Sequence, residues 1–397
     1  MSTASTPDHW FEGSEFTHRV AQAVAQYGPI SRTALAQIIG LSQGALSRIT
    51  SDLIYAKVIE EVPTDHDDEG PLPLGFIAKD RTNRRGRPRT SMRLRGQQRS
   101  FVGVNLHGTA LSVIVVDALC RELSECRNES LASTDPAAVV RQIAAIVEEL
   151  SANIKPSPSL VGVSVGGHPF DDRDITYAPF LHWDDTVPLA AMLQKACAIP
   201  VVVANDLDAL LLFESWFGAG VGIPRFALLT IGAGVGYALS EQGEPVDYPD
   251  KSYGLIGHAL VDNHGPRCFA GHVGCAQCLT NASLAEEYSA AMGKAMSFED
   301  FATDARAGKA QAQSLADTTC FRLGTLIATV ENFAMPQQVF INGESSFLAR
   351  LNTESIRSAI NSLRPSRASK VDFTILDFSW DYWAKAAAAN AIAHYLL

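Results

Sequence analysis

The sequence predicts an α/β protein in which a small helical unit with a β-wing precedes a larger body of alternating strands and helices. Three observations predict it. Residues 15–54 carry three short runs of helical apolar rhythm, interrupted at Pro29 and at Gly40. The segments 101–117 and 226–239, about 125 residues apart, each read as strand, glycine-bearing turn, strand, which suggests a duplicated fold. Helical stretches at 136–152, 187–197, 206–216, 281–292, 310–334 and 380–396 follow or intervene, the pattern of an α/β body.

The first run places Phe16, Val20 and Val24 on one face of a helix. Pro29 stops it, and Ser31 offers the side-chain acceptor that starts the next. Leu35, Ile38 and Ile39 give a short second helix, which Gly40 ends because glycine accepts the left-handed conformation needed there. Ser42 caps a third helix carrying Leu46, Ile49, Leu53 and Ile54. Helix, tight turn and helix over Ser31–Arg48 is the helix-turn-helix pattern. The third helix would enter a major groove with Ser42, Gln43, Gly44, Ala45, Ser47 and Arg48 towards the DNA. Gln43 suits adenine, Arg48 suits guanine or phosphate, and Gly44 and Ala45 permit close approach. Residues 58–62 (V-I-E-E-V) suit the first strand of a wing, and 63–80 an extended wing or insertion.

Charge divides the chain in the same place. Residues 1–99 hold 13 Lys+Arg against 11 Asp+Glu, and the remainder 19 against 32, within a net charge of −11. An acidic body repels nucleic acid, so contact with double-stranded DNA is expected to be local to the N-terminal part. Eight arginines and no acid fall in 81–99. Within that run Arg84-Arg85-Gly86-Arg87-Pro88-Arg89 resembles the core of an AT-hook, an extended segment that lies in a narrow minor groove. Arg85, Gly86, Arg87 and Arg89 are the candidate contacts. The expected organisation is a DNA-binding domain at 1–80, an arginine-rich linker at 81–99 and the body at 100–397.

Length and composition limit the remaining classes. A chain of 397 residues, 47% of them apolar, suggests two or three domains with ample cores. No stretch approaches the roughly 18 uninterrupted apolar residues of a membrane span. The N-terminus has neither the basic nor the apolar region of a secretory signal. Seven cysteines are too few for a disulfide scaffold. A cytoplasmic location with no membrane partner is expected.

The segment Gly254–Cys278 (GLIGHALVDNHGPRCFAGHVGCAQC) concentrates three of the seven cysteines and three of the ten histidines among glycines. Cys268, Cys275 and Cys278 with His258, His264 or His272 could close a tetrahedral N/S site for zinc. The other four cysteines, Cys120, Cys126, Cys197 and Cys320, stand in apolar settings and are expected as core thiols.

This segment resembles the signature of the ROK family of sugar-responsive repressors and sugar kinases. The family pattern is G-E-x-G-H, a spacer, then C-x-C-G-x-x-G-C-x-E. Gly257, His258, Cys268, Gly271, Gly274 and Cys275 fall in register, whereas Leu255, Ala270 and Gln277 depart from Glu, Cys and Glu. The resemblance covers about 15–62 and 81–397. It implies a body of two ribonuclease-H-like lobes with the actin/sugar-kinase architecture. It also implies a structural zinc on His258, Cys268 and Cys275, with Cys278 as the best replacement for the missing cysteine and His272 as the second.

The resemblance further implies what the body has lost. The first nucleotide turn of family kinases reads D-x-G-G-T, and here Asn105 and His107 replace Asp and Gly. The second reads G-T-G-x-G, and Ala233 replaces its hydroxyl. Glu344 follows Gly343 where a Gly-Gly pair normally approaches the nucleotide. These departures imply that the chain is not an enzyme. In the sugar site Asn205 and Asp206 match the family's sugar-binding Asn and catalytic base, and His258 is kept. Phe180, Leu255 and Gln277 replace an Asn and two Glu. Buried polar groups left unpaired cost about 1–3 kcal/mol each, so a neutral polyhydroxy ligand fits poorly, and a sugar derivative or sugar phosphate fits better. Asp206 is then a vestigial base or merely part of a helix cap. The expected whole is a DNA-binding transcriptional regulator of carbohydrate-related genes, a repressor, acting as a homodimer or tetramer. Two alternatives stay open: an active ATP-dependent sugar kinase with a DNA-binding extension, and a ligand-independent DNA-binding protein with a vestigial pocket.

Overall fold

The structure is a computed structural model that describes residues 9–63, 70–76, 90–248, 250, 253–370 and 372–397. Two compact units divide the chain, Met1–Ile223 with Trp380–Leu397, and Pro224–Ser379.

The first unit begins with the helix-turn-helix. Helix Glu15–Tyr27 starts at a capping box between Ser14 and Thr17 and buries Val20 and Val24. Helix Arg32–Ile39 is capped by Ser31, which accepts from the Ala34 N–H, and ends at Gly40 with φ +76°. Helix Gln43–Tyr55 is capped by Ser42 and buries Leu46, Ile49 and Leu53. All three follow the apolar rhythm in the sequence. A wing of three antiparallel strands completes the unit, in the order Ile30–Ser31, Thr90–Leu94, Ile59–Pro63. Its central strand lies inside the stretch expected as linker. Met92 and Leu94 are buried while Arg93 turns outward to pair with Glu60 at 2.6 Å. Arginine density hides this strand's alternation in the sequence.

The α/β body follows. In the first unit a five-stranded sheet has the order Val201–Asn205, Pro158–Val165, Ser100–His107, Ala110–Asp117, Arg127–Ser130. In the second unit the order is Asp372–Ile375, Gln338–Asn342, Arg225–Ile231, Val235–Glu241, Glu244–Pro245. Each sheet holds three antiparallel strands consecutive in the chain, and its fourth and fifth strands add in parallel on the far side of the first. The same order twice is the duplication that the two strand-turn-strand segments foreshadow, and it is the ribonuclease-H-like arrangement of a two-lobed body.

Helix Trp380–Leu396 packs on the first sheet through an unusually close contact. Gly103 and Gly162 pair side by side on adjacent parallel strands. A Cβ on Gly103 would lie 2.0 Å from the Ala384 carbonyl oxygen, and one on Gly162 would lie 2.0 Å from that of Ala387. Ala384, Ala387, Ala388 and Ala391 are fully buried in the facing helix. Small residues on both sides let helix and sheet backbones meet. The start of the chain is fastened to the same helix. Trp10 N–H donates to the Tyr395 carbonyl at 2.9 Å, and the His18 ring lies 2.8 Å from the Leu396 carbonyl oxygen. Among the described residues no helix is long and apolar enough to cross a membrane.

Overpacking a tight contact costs about 1–3 kcal/mol. Gly162→Ala should therefore lower the urea midpoint by a corresponding amount. Gly44→Ala, where a Cβ would meet nothing within 4 Å, should leave the midpoint unchanged or slightly raised, since alanine is the better helix former.

Candidate functional site

Helix Gln43–Tyr55 is exposed along the face expected to meet DNA. Ser42, Gln43, Gly44, Ser47 and Arg48 are exposed and Ala45 is half-buried, while Leu46, Ile49 and Thr50 turn inward. The Ser42 hydroxyl is committed to the Ala45 N–H at 3.3 Å, so it can offer DNA its backbone and its remaining hydroxyl capacity. Arg85, Gly86, Arg87 and Arg89 lie outside the described residues.

In the second unit the loop 254–278 folds back on itself so that four donors converge. The ligand atoms of His258, Cys268, His272 and Cys275 all lie within 4.8 Å of one another. His258 Nδ1 is 3.0 Å from His272 Nδ1 and 3.9 Å from each of Cys268 Sγ and Cys275 Sγ. A tetrahedral zinc with ordinary Zn–N and Zn–S bonds separates its donors by about 3.3–3.8 Å. The observed spacings from His258 lie within about 0.3 Å of that range, so two imidazoles and two sulfurs placed this way could hold a metal ion. The loop owes its shape to backbone bonds. Cys268 N–H donates to the His272 carbonyl at 2.8 Å, and the Val261 and Asp262 N–H groups share the Gly274 carbonyl at 2.9 and 3.0 Å. Gly274 sits at φ +66°, where a Cβ would fall 1.5 Å from the Asp262 carbonyl oxygen, so only glycine fits.

Spacing favours Cys278 over His272 as the fourth ligand, and the geometry reverses that order. Cys278 lies on the short 3-10 turn Ala276–Leu279 and is buried in the apolar core beside Leu279, Leu323 and Ile327. Its sulfur is not among the four donors that converge, whereas the His272 ring is. His272 reaches the group because the Gly271 turn, at φ +89°, carries the chain back past Cys268. Ala270, at the family's middle cysteine, is exposed. His264 is exposed too and is not among the converging donors.

One residue behind this loop carries no signal in the sequence. Arg322 is buried on helix Ala310–Ala334. Its guanidinium donates to Asp262 at 2.9 Å and to both oxygens of Glu287, the shortest contact being 2.7 Å. Asp262 in turn accepts from the His264 N–H at 2.9 Å. A buried charge needs such pairing to be tolerated, and here the pairing ties the loop to the helices behind it. An arginine in an amphipathic helix reads as surface until the acids that meet it are placed.

The effector candidates fall into one group in each unit. In the first, Phe180, Asn205 and Asp206 converge at the carboxyl ends of strands Pro158–Val165 and Val201–Asn205, where open α/β sheets place ligands. Asn205 is engaged at both ends of its amide. Its Oδ1 accepts from the Leu207 and Asp208 N–H groups at 2.9 and 3.3 Å, and its Nδ2 donates to the Gly167 carbonyl at 3.0 Å. That is an N-cap for helix Asp206–Trp216. Gly166 leaves room for both neighbours, since a Cβ there would meet the Phe180 ring at 3.2 Å and Asp206 Oδ2 at 3.3 Å. Burial pushes the Asp206 carboxyl up to about 6. In the second unit Leu255 is exposed and His258 belongs to the metal cluster. Gln277 packs so closely that a Cβ on Gly257 would fall 2.5 Å from its side-chain nitrogen.

Each glycine turn of the nucleotide type is met by a side chain of its own unit. At the first, the His107 ring stacks on Trp380 with centroids 3.5 Å apart and planes 6° from parallel, and its Nε2 lies 3.1 Å from Ser112 Oγ. Burial pushes the imidazole down to about 4. Asn105 is buried and donates to Ser164 at 2.9 Å. At the second turn, Glu344 lies against Gly232 and Ala233.

Comparison with known proteins agrees with this architecture. Residues 101–393 match the sequence model of the ROK family. A glucokinase of Halalkalibacterium halodurans is 27% identical over 62% of this chain and 80% of its own length. The Escherichia coli K12 DNA-binding transcriptional dual regulator NagC is 23% identical over 86% of this chain and 83% of its own. The crystal structure of a ROK family transcriptional regulator, a homologue of the E. coli MLC protein, superposes with a TM-score of 0.75 over 96% of both chains at 21% identity, and so shares the fold.

Two outcomes follow from this geometry. His272→Ala should reduce the metal bound per chain, measured by mass spectrometry of the purified protein, whereas Cys278→Ala should leave it unchanged. The second concerns acid. His107 titrates lower in the folded chain than in the unfolded chain, so the unfolded state binds more protons between pH 6.5 and about 4. The stability held by neutral His107 is present above that window and lost as pH falls through it. His107→Phe, which keeps a ring on Trp380, should make the melting temperature less sensitive to pH across this range.

Proposed function

The chain belongs to the ROK family, and on that premise we propose that it is a DNA-binding transcriptional regulator, a repressor of carbohydrate-related genes, whose body senses a ligand instead of phosphorylating one. The observation that carries this reading is the winged helix-turn-helix with its open recognition face at Gln43, Gly44, Ser47 and Arg48. The long span of the likeness to NagC supports it. In this reading DNA binding resides in 1–80, the arginine-rich stretch 81–99 adds minor-groove contact through Arg85, Gly86, Arg87 and Arg89, and 100–397 is the regulatory body.

Two copies of the unit read a two-fold site, each placing helix Gln43–Tyr55 in the major groove. The effector is a sugar derivative or sugar phosphate. Its candidate contacts in the first unit are Phe180, Asn205 and Asp206; Leu255, His258 and Gln277 are the candidates of the second unit taken by itself, and replacement of two family acids by Leu255 and Gln277 favours an anionic ligand. Release from DNA is linkage: the ligand stabilises the conformation that binds DNA less well. One zinc per chain, on His258, Cys268, His272 and Cys275, has a structural role, pinning the 3-10 turn Leu255–His258 to the loop that follows.

The glucokinase relative and the retained Asp206 favour a second reading, a sugar kinase with a DNA-binding extension. Asn105, Ala233 and Glu344 oppose it. A coupled assay of ATP turnover over a panel of sugars separates the two: turnover at background supports the regulator, and sugar-dependent turnover establishes the kinase. A thermal-shift screen with sugars and sugar phosphates tests ligand sensing, and a flat result across the screen would favour a vestigial pocket.

DNA binding has its own test. Each lost phosphate contact lowers the slope of log K against log salt by about 1. With a DNA site selected from a random library, Arg87→Ala should weaken binding and reduce the slope by about that much. An unchanged affinity and slope would remove Arg87 from the interface.

A further inference from the structure

The second glycine turn already holds an oxyanion. Gly232-Ala233-Gly234 links strands Arg225–Ile231 and Val235–Glu241. Glu344 reaches into it from the end of strand Gln338–Asn342. Its carboxylate accepts from Asn281 Nδ2 at 2.7 Å, and the nearby Ala233 N–H favours its anionic form. A Cβ on Gly232 would meet Glu344 Oε2 at 3.1 Å, so the turn and the carboxylate are in near contact.

The surroundings hold this arrangement in place. Ser345 Oγ donates to Asn281 Oδ1, which fixes the Asn281 amide with its nitrogen towards Glu344. Asn281 N–H donates to the Gly232 carbonyl at 2.8 Å, and Ser345 N–H donates to the Ile231 carbonyl at 3.1 Å. Gly343 sits at φ +103°, where a Cβ would fall 2.3 Å from the Ile231 carbonyl oxygen. The chain on either side of Glu344 is thus laced to the turn that its carboxylate caps. Burial raises the Glu344 carboxyl, while Asn281 and the Ala233 N–H work against that rise by favouring the anion.

A glycine turn with a free N–H and a neighbouring amide is a site for a phosphate group. We propose that the Glu344 carboxylate is a built-in occupant of this turn, standing where a phosphate would bind and closing the turn to polyphosphate ligands, nucleotides included. The carboxylate uses the donors that a phosphate would need. It also repels a second anion at contact distance, where screening by water is incomplete. At this second turn the block then rests on one side chain, and the backbone of the turn stays competent. This proposal does not depend on the DNA-binding reading, because a regulator that binds nucleotide would refute it and leave that reading intact.

The test is calorimetric titration of the full chain with pyrophosphate and with ADP, alongside thermal shift with pyrophosphate. The wild type should show no saturable binding. Glu344→Ala should gain binding of both ligands by at least tenfold and melt higher with pyrophosphate present. Glu344→Gln keeps the size of the side chain and removes its charge, and should gain less. Saturable pyrophosphate binding by the wild type, equal to that of the variants, would overturn the proposal. So would a folded Glu344→Ala protein, its fold checked by circular dichroism, that binds neither ligand. Should Glu344→Ala lose its fold, the Gln variant decides alone: a gain in pyrophosphate binding supports the proposal, and none refutes it.

Discussion

The first unit depends on the close approach of helix Trp380–Leu396 to the sheet at Gly103 and Gly162. Backbone meets backbone there because both strands give up their side chains and the helix offers alanines. The same helix serves several other contacts. Trp380 stacks on His107, and the Tyr382 hydroxyl donates to the buried Glu214 at 2.6 Å. Glu214 belongs to helix Asp206–Trp216, whose first turn holds Asn205 and Asp206. Tyr395 and Leu396 hold the chain's first described residues. One tightly set helix therefore braces a glycine turn through His107, the helix that follows Asn205 and the seat of the helix-turn-helix.

Much of this fold was legible in the sequence because short-range chemistry dictates it. Ser31, Gly40 and Ser42 punctuate helices by caps and a left-handed residue, and each acts as its residue type demands. The paired strand-turn-strand segments announced two lobes of one kind. The strand Thr90–Leu94 was hidden because it is short, lies in an arginine-rich stretch with Arg93 turned outward, and pairs with segments about thirty and sixty residues earlier. The helices Phe298–Arg306 and Thr353–Leu363 were also missed. They bury only one narrow face each, and that face has no meaning until Tyr288 or Gly324 is placed against it.

Site residues were legible in identity more than in partnership. His258, Cys268 and Cys275 are plain from residue type and register, yet the choice between His272 and Cys278 turns on which way a loop folds. Spacing along the chain cannot express that: Gly271 and Gly274, both left-handed, carry His272 to the cluster and leave Cys278 to the core. Likewise Glu344 is readable as an intruding charge, but its bond to Asn281, 63 residues away in the chain, appears only in three dimensions. Arg322 escaped for the same reason, since its two acids come from separate segments.

The fastening of Trp10 and His18 to Tyr395 and Leu396 has a consequence for cooperativity. Local caps give the helices of the helix-turn-helix their own start and stop signals. Their seat, however, is the last turn of helix Trp380–Leu396, which the alanine–glycine contact holds on the first sheet. Lifting that helix from the sheet would unseat the helix-turn-helix without touching any residue of it. The position of these helices is thus a property of the whole first unit, whereas their shape is their own.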